Sequence, residues 1–169
     1  MIIKIMLFKW LPRTAFGLLA LIELEQFAYG EELFGRFEVI SKTCEYQLSS
    51  GSREICRVVQ LDRKSAEVIG VRFIGRGKGK GSRQELTFVT FSNESSVPLT
   101  CSNGECSLKE DSWIGQVSSV AEKNFNERGL SQGLPKAWPV KGECTLSQKH
   151  LSCRSQSFSG ELLTGEARL

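Results

Sequence analysis

In the stretch Thr100-Cys-Ser-Asn-Gly-Glu-Cys-Ser107, two cysteines bracket the dipeptide Asn103-Gly104. Asn-Gly is the strongest two-residue hairpin signal, because a type I′ turn needs positive φ at both central positions. Such a turn pairs Ser102 with Glu105 and sets Cys101 opposite Cys106 at the non-hydrogen-bonded kind of site. There the Cα atoms approach to about 4.5 Å, within the range a disulfide accepts.

The other four cysteines follow the same logic. Between Cys144 and Cys153, a loop at Gln148-Lys149 pairs Ser147 with His150, Leu146 with Leu151 and the two cysteines with each other. Neither Gln nor Lys favours positive φ, so a four-residue loop is the alternative. Between Cys44 and Cys56, a three-residue loop Ser49-Ser50-Gly51 places glycine at the left-handed position of a bulged turn. The cysteines then face each other at the wider kind of site, near 5.5 Å. The expected bridges are therefore 44–56, 101–106 and 144–153, all local. The rival is a structural zinc site, but Cys-x4-Cys followed by Cys-x8-Cys departs from the tight knuckles such sites use, and no metal is expected. Each short loop contributes about 2–3 kcal/mol in the chain-entropy account. Each also fixes only its own hairpin, so the long-range topology has to come from an apolar core.

Disulfides imply an oxidising compartment, and the first thirty residues point the same way. Lys4, Lys9 and Arg13 precede the apolar run Ala15–Ile22, which stops at Glu23 and Glu25 before the small residues Ala28 and Gly30. That order is the pattern of a secretory signal peptide, and the run is too short for a permanent span of about 20 residues. The expectation is a leader over residues 1–30 and one exported domain over 31–169, periplasmic or extracellular. No later segment could span a membrane, so no transmembrane segment is expected in the mature chain.

Four runs read as strands from their β-branched and aromatic content: Arg36–Leu48, Glu54–Leu61, Ala66–Ile74 and Glu85–Phe91. Further short runs follow, including a strand from Trp113 and two around Cys144 and Cys153. Val117, Val120, Ala121 and Phe125 break this pattern with helical spacing. Ser119 and Glu122 stand as a capping box, and Gly129 stands where a left-handed cap belongs, with Leu130 expected to fold back on Phe125. The spacing predicts a short helix near 120–128; the competing reading is a strand continuing from Trp113 through Val120. Gly129–Glu143, with Pro135 and Pro139, reads as a surface connection carrying Trp138 either as a core plug or as an anchor for a protein partner. The fold class expected is mainly β (a β-rich α+β chain): an antiparallel barrel or sandwich built of hairpins, with one short helix.

The chain carries 22 Lys+Arg against 19 Asp+Glu. The excess is local, since Arg53–Arg83 holds nine basic and three acidic residues. Within it, Gly75-Arg-Gly-Lys-Gly-Lys-Gly-Ser-Arg83 alternates glycine with cations. It lacks the spacing of a nucleotide-binding P-loop and joins two strands, so no helix N-terminus meets it. It reads either as a solvated loop or as an anion-binding loop through Arg76, Lys78, Lys80 and Arg83. Candidate ligands are a polyanion such as an acidic glycan, a lipid headgroup or nucleic acid. The loop lacks the aromatic platforms that single strands stack on.

Catalytic material is sparse. His150 is the single histidine and falls in an expected turn, and Asp62 and Asp111 are the aspartates after residue 30. Glu45, Glu54 and Glu85 could supply a carboxylate pair of the kind glycoside hydrolysis uses. Asn93-Glu-Ser matches a glycosylation acceptor. No cofactor motif is present. The leading expectation is an exported, non-catalytic binding or envelope-associated protein. The alternatives are an interaction module or inhibitor presenting a disulfide-braced loop, and a small hydrolase.

Overall fold

The structure, a computed structural model, describes residues 34–92, 97–109 and 112–169. The leader reading, Asp111 and Asn93 fall outside these residues. The described residues form β1 (Gly35–Ile40), β2 (Thr43–Gln47), β3 (Arg53–Arg63), β4 (Val68–Arg76), β5 (Arg83–Phe91), β6 (Leu99–Ser102), β7 (Glu105–Leu108), β8 (Ser112–Phe125), β9 (Lys136–Ser147), β10 (His150–Ser157) and β11 (Leu162–Arg168).

The sheet runs β2-β11-β10-β9-β8-β5-β4-β3, and β3 pairs back onto β2. Every one of these neighbours is antiparallel. The result is a closed eight-stranded up-and-down barrel rather than a sandwich, an arrangement that leaves its own strands no open edge. The β6–β7 hairpin is inserted between β5 and β8 and meets β1 through the parallel bridge Arg36↔Glu105. β1 continues the line of β2 along β3, with Ile40↔Val58 on one side of the junction and Glu45↔Ile55 on the other. The expected single strand Arg36–Leu48 is thus broken at Ser41, whose N–H donates to the Arg57 carbonyl at 2.9 Å.

Alternation sends Tyr46, Val59, Leu61, Ile69, Val71, Phe73, Leu86, Phe88, Leu151 and Leu163 inward, where all are essentially inaccessible. Phe73 and Phe88 meet edge to face at 5.8 Å between ring centroids. Phe73 fills the lumen so fully that a Cβ on Gly165 would lie 2.4 Å from its ring. The barrel is filled with side chains, as eight strands allow.

The three expected disulfides are present: Cys44–Cys56, Cys101–Cys106 and Cys144–Cys153. Their Cα separations, 4.9 Å for the first and 4.0 Å for the other two, fall in the expected order. Asn103 and Gly104 both have positive φ, as type I′ requires. Gln148 and Lys149 also form a two-residue turn, at φ 49° and 66°, and Ser147↔His150, Leu146↔Leu151 and Cys144↔Cys153 pair as expected. The alternative four-residue loop does not form: the registers of β9 and β10 on either side, locked by the disulfide, leave only two residues to turn the chain.

The helix near 120–128 is not formed. β8 runs as a strand to Phe125, and a bulge between Val117 and Ser119 explains the misleading spacing. Inward residues follow at Trp113, Gly115 and Val117, then skip three to Val120. One extra residue in a period of two mimics one turn of a helix. Gly129 is indeed left-handed, at φ 75°, but it closes a hairpin in which Gly129 N–H donates to the Asn126 carbonyl at 3.0 Å. Glu122 accepts from Ser49 N–H at 2.6 Å rather than capping Ser119, and Leu130 is exposed. The expected surface connection 129–143 is likewise corrected, because β9 begins at Lys136. Pro139 is tolerated there since it faces the same β8 bulge.

Candidate functional site

An up-and-down meander returns alternate turns to the same end. The β2–β3, β4–β5, β8–β9 and β10–β11 turns therefore form one rim. Three of them are built alike. Leu48/Ser52, Asn126/Leu130 and Ser157/Glu161 close three-residue loops, each with an internal i to i+3 bond and a left-handed glycine in third place. In the fourth, Gly77 N–H donates to the Ser82 carbonyl at 2.9 Å, and the Ser82 hydroxyl binds both the N–H and the carbonyl of Gly79. The alternating glycines thus serve a tight turn braced by Ser82.

The rim encloses an open cleft of about 830 Å³ between the 48–52, 77–82 and 126–132 segments. The β4–β5 and β8–β9 turns touch: a Cβ on Gly81 would lie 3.2 Å from the Glu127 Cβ. Lys78, Lys80, Arg83, Arg128 and Lys136 line the cleft, against Glu54, Glu122 and Glu127. Five cations facing three carboxylates leave it formally positive. Beneath it Tyr46 donates from its hydroxyl to Gln84 Oε1 at 3.2 Å. Burial, reinforced by Glu54, Glu122 and Glu85, pushes this phenol well above its ordinary range, so it stays neutral.

Of the four candidate anion-binding residues, the cleft gathers Lys78, Lys80 and Arg83 and leaves out Arg76. Arg83 is partly committed: its Nε lies 2.9 Å from Glu85 Oε1, and its guanidinium sits 4.4 Å from the Phe125 ring centroid. Lys78 and Lys80 are exposed and make no ion pair among the described residues. Arg128 and Lys136 are the cations that sequence reasoning missed. Arg128 was hidden by the helix reading, which made it the last residue of the expected 120–128 helix, and Lys136 by the reading of its segment as a connection.

The basic segment Arg53–Arg83 is not one face. Arg72 spans Asp62 (Nη2–Oδ2 3.0 Å) and Glu85 (Nε–Oε2 3.7 Å) on the outer wall. Arg36 binds the same Asp62 through Nε at 2.7 Å, and that bond raises its already high pKa. Arg63 is buried and donates to the Leu99 carbonyl at 3.1 Å. Lys64 lies near Asp62, at the end of β3 away from the rim. Charge that the sequence presents as a block is therefore partly consumed by a cross-strand network, and what remains for a ligand is concentrated at the rim.

The other candidates disperse. Glu45 stands directly opposite Glu166 across β2 and β11 on the outer wall, near exposed His150. Glu85 is held by arginines, and Glu54 lies in the cleft. Among the described residues, no group of three His, Cys, Asp or Glu side chains could hold a metal ion. Trp138 lies in β9 opposite Val120, half-buried against the core. Among the described residues no helix is long and apolar enough to cross a membrane.

Comparison with protein families, with curated proteins and with solved structures finds no match to this chain.

Proposed function

We propose that this chain is an exported, non-catalytic binding or envelope-associated protein that contacts anionic ligands through the rim of its barrel. The observation that carries the reading is the convergence of Lys78, Lys80, Arg128 and Lys136, from two touching turns and the start of β9, around one open cleft. Side chains fill the lumen, which directs a ligand to the outside of the barrel, and three disulfides suit an oxidising compartment. The ligand class is a polyanion met at the surface, because exposed cations act through screened, additive attraction rather than through one built pocket.

Retention on a sulfated polysaccharide matrix tests this. Affinity is expected to fall steeply with salt, and Lys78→Ser/Lys80→Ser to weaken it about thirtyfold at low ionic strength, at about 1 kcal/mol per exposed cation. Lys109→Ser, on β6–β7's side of the molecule, is the control and should elute with the parent. Salt-insensitive retention, or a double variant that elutes unchanged, removes the proposal.

A further inference from the structure

The rim carries more than cations. Leu130 is 57% exposed, Leu134 92% and Phe158 73%; Leu130 and Phe158 stand on its hairpin turns, and Leu134 follows one of them before β9 begins. Leu130 closes the Asn126–Leu130 turn at the tip of β8–β9. Leu134 sits in a short excursion between the Phe125↔Ser131 bridge and the start of β9, following Gly133 at φ 77°. Phe158 lies in the loop closed by Ser157 and Glu161, with Lys141 Nζ 5.9 Å from its ring centroid.

Single exposed apolar side chains are ordinary on any protein surface. Three large ones at or next to two neighbouring turns of the end whose cleft gathers Lys78, Lys80, Arg128 and Lys136 are a combination with a specific physical use. A soluble polyanion would engage the cations and leave the apolar tips in water. A lipid surface engages both, since headgroups receive the ammonium and guanidinium groups while the tips reach the acyl boundary. Glu127 subtracts one charge from the face, and Glu54 and Glu122 subtract two more within the cleft, which stays net positive. Glu161 is held within its own turn by the Ser157 and Ser159 hydroxyls, and these bonds keep its carboxyl below the usual glutamate range.

We infer that the rim is a membrane-docking face, in which Leu130, Leu134 and Phe158 insert into the interface of an anionic bilayer while the neighbouring Lys and Arg side chains bind its headgroups. This rests on the anion-binding reading above and narrows its ligand to lipid.

Sedimentation of the exported, disulfide-intact protein with vesicles tests it. Partitioning should be strong with phosphatidylglycerol mixed into phosphatidylcholine and weak with phosphatidylcholine alone. Leu130→Ser/Leu134→Ser/Phe158→Ser should lower it about a hundredfold, since three apolar side chains lose their burial at the acyl boundary. Leu134→Ser alone, at the most exposed position, should give a smaller loss in the same direction. Retention on the sulfated matrix should be unchanged in both variants. Vesicle binding that the triple variant retains in full overturns the inference while leaving the anion-binding reading intact. So does a parent chain that binds the matrix but not the vesicles, which would assign the rim to an acidic polysaccharide. Vesicle binding unaffected by the triple variant, together with matrix retention unaffected by Lys78→Ser/Lys80→Ser, overturns both.

Discussion

At the scale of single residues, the tightest constraint is the contact between Phe73 and Gly165. With 2.4 Å between a hypothetical Cβ and the ring, Gly165→Ala forces either β11 or the ring to move, and the ring is already locked edge to face on Phe88. Overpacking of this kind costs about 1–3 kcal/mol. Urea unfolding should show that loss, and Phe73→Leu in the Gly165→Ala background should recover part of it, as a favourable coupling in a double-mutant cycle. Equal losses in both backgrounds would mean that the two positions do not share a space. Residues of this kind are illegible in a sequence, because a glycine inside a strand does not announce which distant aromatic it admits. The cysteines are the opposite case. Their partners lie across short turns, so counting residues around Asn103-Gly104 and Ser49-Ser50-Gly51 is enough to pair them.

At the scale of elements, the hairpin of β9 and β10 is strained where its sequence is least suited to its geometry. Gln148 and Lys149 hold left-handed conformations that cost an ordinary L-residue about 1 kcal/mol each, and the pairing of β9 with β10 under the Cys144–Cys153 bond enforces them. Replacing the pair with Asn-Gly, as Gln148→Asn/Lys149→Gly, is expected to stabilise the chain by about 1 kcal/mol in denaturant titration with no change in slope. A neutral result would mean that the turn is not where the strain resides. The opposite lesson comes from β8. Its apolar spacing, its Ser119 and Glu122 and its left-handed Gly129 all agree locally on a helix, yet each has a second use in a bulged strand leading into a glycine-closed turn. Local signals that agree with one another can still be outvoted, here by neighbours β5 and β9 that need a strand between them. The same misreading concealed Arg128, so an error about an element became an error about the site.

At the scale of the whole molecule, β2 is the strand that makes a sheet into a barrel, pairing with β3 on one side and β11 on the other. The Cys44–Cys56 bond sits at that seam, whereas Cys101–Cys106 braces a hairpin inserted outside the eight-stranded ring, and both pack against the core. Their loss should differ in size, because the Cys44–Cys56 loop is the longer one and its bond ties the strand that closes the ring. Cys44→Ala/Cys56→Ala is expected to cost about 3 kcal/mol or more, loop entropy and a lost core contact together. Cys101→Ser/Cys106→Ser should cost about 2 kcal/mol and leave the near-ultraviolet signature of the packed aromatics in place. The reverse ranking in urea would show that the seam is held by its hydrogen bonds alone. Hairpin content was legible from alternation and turns, but closure was not. Whether the last strand returns to the first depends on the stagger accumulated over all eight, which no single stretch encodes.

The packed lumen divides labour between two parts of the chain. Because aromatic and aliphatic groups already occupy the axis of the tube, a new specificity cannot arise by hollowing it out without unmaking the wall. It can arise by exchanging a few side chains on turns three or four residues long, whose shape is set by a glycine rather than by whatever those side chains meet. Recognition in such a molecule is free to drift while the scaffold beneath it stays fixed.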